Sequence, residues 1–421
     1  MKIKHNILSI VFILTLVFNN YAQKNHLLKF SVNVVSKNLS FGDYIPATIS
    51  CNNALNQKFK IKYRGNSSAG YDKKSYSIKF NKKQAFYKLD SAYKWKLNAE
   101  YIDKTLMRNK LSYDLFRAFS ENNISPKIEY ALLNVNDTNK GIYALTQRVD
   151  ASLLQLDKTD TNAIIFKAPP ISNPTDSHSR KHKGFISYSN WNPFYKKFSD
   201  RAKEKLIKQT YYNQRYPNIN EYDKKQEIHT LTNFLFYSSD NEFSTPEIFN
   251  SFFDLESLID WHLLLLITNN GDGLVKNFYL YKQNANTPYK ICPWDYDHSF
   301  GRDGNGEPDK EIFINVSKIK VLDRLMKTNA FNYKEKLLSK YCYLKKEKIL
   351  TYKAIRKMVK NNVRQLKPYI HQNENIWPPN AIPYFEDSNF KTEVALLNLW
   401  VKKRLPKVEA YLLAINTKAS E

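Results

Sequence analysis

Between residues 28 and 80, apolar and polar side chains alternate. Phe30–Val34, Phe59–Tyr63 and Tyr76–Phe80 each place every second residue on one face, the period of a half-buried strand. A turn-rich loop, Arg64–Asp72, separates the last two. From Asp103 to Phe119 the spacing becomes helical, with Leu106, Leu111, Leu115 and Phe119 on the apolar side. Ile128–Val135 and Gly141–Arg148 read as a hairpin about Asn136–Asn139. The polar, proline-containing stretch Ala168–Pro193 reads as a loop or insertion. Helical spacing returns at 221–238 and again from Asp254, an N-cap residue leading Leu255, Leu258, Ile259, His262, Leu263 and Leu266. Asn269–Gly273 reads as a turn into the strand Val275–Tyr281, and Tyr289–Cys292 completes a central hairpin. The remainder is mainly helical and ends in the amphipathic stretch Val394–Leu413. Strands first and helices afterwards predict an α+β fold rather than a doubly wound sheet.

The N-terminus changes the address. A basic start, an apolar run from Ile7 to Phe18 and the small residue Ala22 describe a secretory signal peptide cut after residue 22. The run is too short to span a membrane comfortably, and no later stretch is long enough, so the reading is an exported chain with no transmembrane span. Export permits disulfides, yet Cys51, Cys292 and Cys342 allow at most one and show no zinc spacing. With 42% hydrophobic and 25% charged residues among 421, the bulk of the chain is a packed globular protein. The net charge of +25 comes from lysines scattered along the whole sequence, which argues against a nucleic-acid stripe. Such a surface still favours anionic ligands such as a nucleotide or an acidic protein.

Chemistry concentrates at the central hairpin. Asp272 precedes Asn277 by five positions, and Asp295 and Asp297 follow the next strand. Phosphoryl transfer needs a carboxylate to orient the attacking hydroxyl, and an Asn and an Asp to hold divalent ions on the phosphates, in this order in protein kinases. Asp295 and Asp297, two apart on an extended segment, share a face and can chelate one cation. Taken alone, Asp272 reads first as a turn residue bonding the backbone. Lys79 in Tyr76–Lys79 fits the phosphate-binding strand lysine, although a lone strand lysine is usually solvated. The loop at Arg64–Ser68 offers amides to phosphates without a G-x-G-x-x-G pattern.

Together these segments resemble the CotH kinase family, the secreted kinases similar to spore-coat protein H. The resemblance is carried by Tyr63–Ser68 with Lys73–Phe80, Trp95–Leu97 with Asp103–Asn109, and Gly141–Tyr143 leading to Val149-Asp150. Asn270–Gly273 with Lys276–Tyr279, and Pro293–Asp297 with Phe300–Arg302, complete it. It implies one atypical protein-kinase-like domain over 23–421, with a strand-rich nucleotide-binding part at about 28–150 and a helical part at about 194–415. It also implies Mg²⁺- or Mn²⁺-dependent transfer of the ATP γ-phosphate to Ser/Thr of secreted or envelope proteins. Asp272 would be the catalytic carboxylate and Asp295 the main metal ligand, with Asn277 and Asp297 assisting. Lys79, Lys74 and Arg64 would serve the phosphates. Where the family usually carries Glu, this chain has Gln147, which can hydrogen-bond but supplies no charge. That departure opens the alternative of a weak or inactive kinase-like protein acting in surface assembly.

Overall fold

A computed structural model describes residues 27–35, 39–52, 57–65, 67–168, 213–302, 316, 319–382 and 387–417. The expected signal peptide and nearly all of the expected loop at 168–193 lie outside the described residues.

The alternating segments form a closed barrel of strands β1 (Leu28–Val34), β2 (Ile45–Cys51), β3 (Gln57–Arg64), β4 (Ser75–Phe86), β5 (Leu89–Asn98), β6 (Ile128–Val135) and β7 (Thr138–Gln147). The spatial order is β1-β2-β3-β4-β5-β7-β6, and β1 closes on β6 in parallel. Phe30, Val32, Ile49, Phe59, Ile61, Ile78, Phe80, Trp95, Leu97 and Leu145 fill the interior. Alternation therefore puts Lys60, Lys62, Ser77, Lys79, Lys94 and Lys96 on the outer wall. The turn joining β6 to β7 has left-handed backbone at both Asn136 (φ 46°) and Asp137 (φ 59°), the residue types that best tolerate it. Helix α1 (Arg108–Phe119) leaves the barrel between β5 and β6.

The second half is built on a four-stranded sheet of order β11-β10-β8-β9, from β8 (Ile164–Lys167), β9 (Asn213–Tyr216), β10 (Phe278–Lys282) and β11 (Lys290–Pro293). Helices α2 (Lys225–Tyr237), α3 (Asp240–Ser244) and α4 (Pro246–Phe252) lead into α5 (Leu255–Thr268), whose N-cap Asp254 accepts from the Ser257 amide. Leucines surround α5 on all sides, so it is buried, packed by β11 and by helices α8 (Tyr333–Lys346) and α10 (Phe390–Thr417). Asn269 ends α5 in left-handed conformation. Residues 271–275 then form a one-turn helix, α6 (Gly271–Val275), where the sequence reads as a turn. Helices α7 (Lys320–Thr328) and α9 (Tyr352–Ile376) complete the helical part.

The barrel docks through α9, where Asn373 Oδ1 accepts from the Ile142 amide at 2.9 Å and the Trp377 indole donates to the Lys140 carbonyl at 2.9 Å. Gly141, at φ +77°, is required here, because a Cβ would lie 2.5 Å from Asn373 Oδ1. The chain is α+β, strand-rich at the N-terminal end and helical at the C-terminal end. The three cysteines are unbridged, Cys51 and Cys292 buried and Cys342 exposed.

Candidate functional site

The two halves meet along the segment that follows β11. Its backbone is fixed from both sides. Asn277, just before β10, donates from Nδ2 to the Asp295 carbonyl at 2.7 Å, and its own carbonyl accepts from the Trp294 amide at 3.0 Å. From the other side come residues of α1. Tyr113 Oη accepts from the Asp295 amide at 2.8 Å, and Asn109 Oδ1 accepts from the Tyr296 amide at 2.6 Å. Arg108 Nε donates to the Ser299 carbonyl at 3.0 Å. Asn109 and Tyr113 stand four apart on one helix face, which is how a single helix reaches successive amides of the segment. Asp295 is held at φ 60°, a conformation that costs a non-glycine residue roughly 1–3 kcal/mol and persists only when its surroundings enforce it.

Two carboxylates result, Asp295 exposed and Asp297 half-buried. The Asp297 carboxyl is pushed up to about 7, first by burial and then by the charge of Asp295, with His298 acting in the opposite direction. Asp272 on α6 also repels it, so the three acids share one field. Asn270 caps α6 by accepting from the Gly273 amide at 2.9 Å. A Cβ at Gly273 would stand 2.9 Å from the Tyr296 ring, so glycine lets α6 press against the acidic segment. Asp272 itself pairs with Lys276 at 2.9 Å.

The facing wall is cationic. Lys96 on β5 places its ammonium 3.5 Å from the centroid of the Trp294 ring, and Arg64 lies over the same ring at 6.0 Å while bonding Asn98. Burial, followed by Arg64, Lys167 and Arg148, lowers the Lys96 pKa well below the ordinary lysine value, with Asp295 opposing. Lys167 at the end of β8 is lowered to about 8, chiefly by burial. Mutually repelling cations gathered in one place make a ready anion site.

Asp272, Asn277, Asp295, Asp297 and Arg64 are thus brought to one place. Lys79, Lys74 and Gln147 are not. Lys79 is exposed on the outer barrel wall between Lys60 and Lys94. Lys74 Nζ donates to the carbonyls of Ala69 (2.9 Å) and Tyr71 (2.5 Å), tying down the loop before β4. Gln147 pairs in register with Trp95 on the other face of β7, where Oε1 accepts from the Lys127 amide at 3.0 Å. Lys167, Arg148 and Tyr113 gave no sequence signal, while Lys96 and Asn109 lie in the segments Trp95–Leu97 and Asp103–Asn109 that carry the family resemblance but had no role assigned.

Do these groups fit a divalent ion? Among the described residues no three His, Cys, Asp or Glu stand together as a ready-made cage. Magnesium in phosphoryl transfer usually takes one or two carboxylates and completes its shell with phosphate oxygens and water. The repulsion between Asp295 and Asp297 is what a bound cation would relieve, so the donor set fits.

The CotH kinase protein family matches residues 61–408, a span that includes every residue of the cleft. The chain belongs to this family. It is 28% identical over 310 residues to the inner spore coat protein H of Bacillus subtilis strain 168, covering 72% of this chain and 76% of the relative. CotH membership makes it a kinase-like protein. No helix among the described residues is long and apolar enough to cross a membrane.

Proposed function

We propose that this CotH chain is an exported protein kinase with an atypical kinase-like fold, which transfers the γ-phosphate of ATP to Ser/Thr hydroxyls of secreted or envelope proteins. The observation that carries the reading is the meeting of acids and cations around Trp294, with Asp272, Asp295 and Asp297 acting on one another and Lys96, Arg64 and Lys167 close to Asp295 or Trp294. In this reading Lys96, held against Trp294, and Arg64 receive the phosphate oxygens. Asn277 fixes the Asp295 backbone, so Asp295 and Asp297 present their carboxylates to a Mg²⁺ or Mn²⁺ ion. That ion, when bound, neutralises charge on the phosphates. Asp272 orients the acceptor hydroxyl and takes its proton as that oxygen bonds to the γ-phosphorus. The bond from the γ-phosphorus to the bridging oxygen breaks and ADP leaves. Lys276 keeps the Asp272 carboxylate aimed.

Two variants separate binding from chemistry. Mn²⁺ with ATP should raise the Tm of wild type and of Asp272→Asn and leave Asp295→Asn unchanged. Labelled γ-phosphate should reach a generic acceptor protein only with wild type, and EDTA should abolish the transfer. Transfer persisting in Asp272→Asn would remove that residue's role. A second reading, a non-catalytic assembly protein, is favoured by the coat-protein name of the Bacillus subtilis relative. Under it, no Tm shift and no label would be seen.

A further inference from the structure

Glu100 is an acid that the mechanism above does not use, and it lies where the barrel meets the acidic segment. It follows β5 directly, is 7% exposed, and has left-handed backbone at φ 47°. Its Oε2 accepts from Asn109 Nδ2 at 2.8 Å, while its Oε1 has no hydrogen-bond partner among the described residues. Asn109 turns its other end to the Tyr296 amide at 2.6 Å, between Asp295 and Asp297. The Glu100 oxygen accepts and the Tyr296 amide donates, so the residue bridging them must offer both a donor and an acceptor. Asparagine does this at the length available. Aspartate would lose the N–H that Asn109 gives to Glu100 and add a charge beside it. Glu100 also lines a partly open cavity of about 20 Å³ with Lys73, Asp103, Lys104 and Asn373 among others. Lys73, buried there, donates to the Ile142 carbonyl at 2.6 Å and feels the Glu100 charge.

We infer that Glu100 is a positioning residue for the metal site: through Asn109 it fixes the backbone between Asp295 and Asp297, and so sets metal affinity without touching the ion. This rests on the proposed function only in taking Asp295 and Asp297 as metal ligands. Outer partners of this kind commonly change metal affinity by about 10- to 100-fold.

The test is Mn²⁺ titration of the full chain followed by electron paramagnetic resonance, without nucleotide and with ATP, and with near-ultraviolet circular dichroism as the folding control. Glu100→Ala and Asn109→Asp are expected to weaken Mn²⁺ binding by about tenfold or more. Glu100→Gln, which keeps an acceptor for Asn109, stays within about threefold of wild type, a rescue that a purely electrostatic role would not give. Asn109→Asp keeps the side chain's size and serves if Glu100→Ala does not fold. Wild-type affinity in both Glu100→Ala and Asn109→Asp overturns the inference and leaves the metal site standing. So does a Glu100→Gln loss as large as that of Glu100→Ala. Wild-type protein that binds no Mn²⁺, with or without ATP, overturns the metal-site reading and this inference with it.

Discussion

Lys96 is held by geometry rather than by an acid. Its ammonium sits on the Trp294 ring and among other cations, so it gains most when an anion arrives. Lys96→Met removes one charge-assisted bond to the phosphates, worth about 1.5–3 kcal/mol, and should raise the KM for ATP by about 10- to 100-fold. Lys79→Met, on the solvent wall, should leave KM within about twofold, since exposed charges away from a site contribute little. Steady-state kinetics of the two variants side by side check this. Both lysines alternate outward from apolar neighbours, and a period of two says only that each leaves the barrel interior. Which outward lysine meets the acids depends on where β5 lies against the segment after β11, a pairing of residues far apart in sequence. The same holds for Gln147. Its identity suggested a missing charge at the nucleotide, whereas its register opposite Trp95 sends it to the Lys127 amide.

At the scale of elements, the acidic segment depends on α1 and α10 as much as on its own hairpin. Arg108, at the start of α1, bonds the Ser299 carbonyl, Asp103 and Glu393 of α10, and Glu393 also holds Arg302. Burial works against the Glu393 charge, but the bond to Arg302, Arg108 and the Ser388 hydroxyl outweigh it and hold its pKa at about 2, down from 4.5. A depressed carboxyl pKa contributes stability that is complete above pH 4.5 and is lost as the pH falls through about 2. The shift corresponds to roughly 3 kcal/mol. Glu393→Gln should therefore lower stability by about 3 kcal/mol near neutrality, and should flatten the acid limb of a denaturation series between pH 4.5 and 2. Among the elements themselves, strands and long helices were legible because their periods are local. The α6 helix was not, because Asn270 and Gly273 are turn residues by type. Here they serve as cap and as point of close approach to Tyr296.

For the whole molecule, the candidate site forms where the barrel meets the helical half with its own small sheet. The second half supplies all three acids, and the cations are shared between the halves. Lys96 and Arg64 come from the barrel, Lys167 from the second sheet, and the acids from α6 and the segment after β11. The order strands, helix, strands, helices predicted the α+β class, since each element's face must be covered by another layer. Barrel closure was not legible, because β1 pairs with β6 across intervening strands. The scattered lysines that gave +25 without a stripe are, on the barrel, largely its outward positions. The approach of Lys96 and Lys167 to each other is visible only in three dimensions.

The most direct test of the central claim compares ADP formed with phosphate placed on protein, using labelled ATP, Mn²⁺ and a Ser/Thr-containing acceptor. Wild type should give one labelled phosphoserine or phosphothreonine for each ADP, and Asp272→Asn should give neither while still binding Mn²⁺ with ATP. Wild type that binds ATP and metal yet places no phosphate on protein, acceptor or itself, would contradict the account.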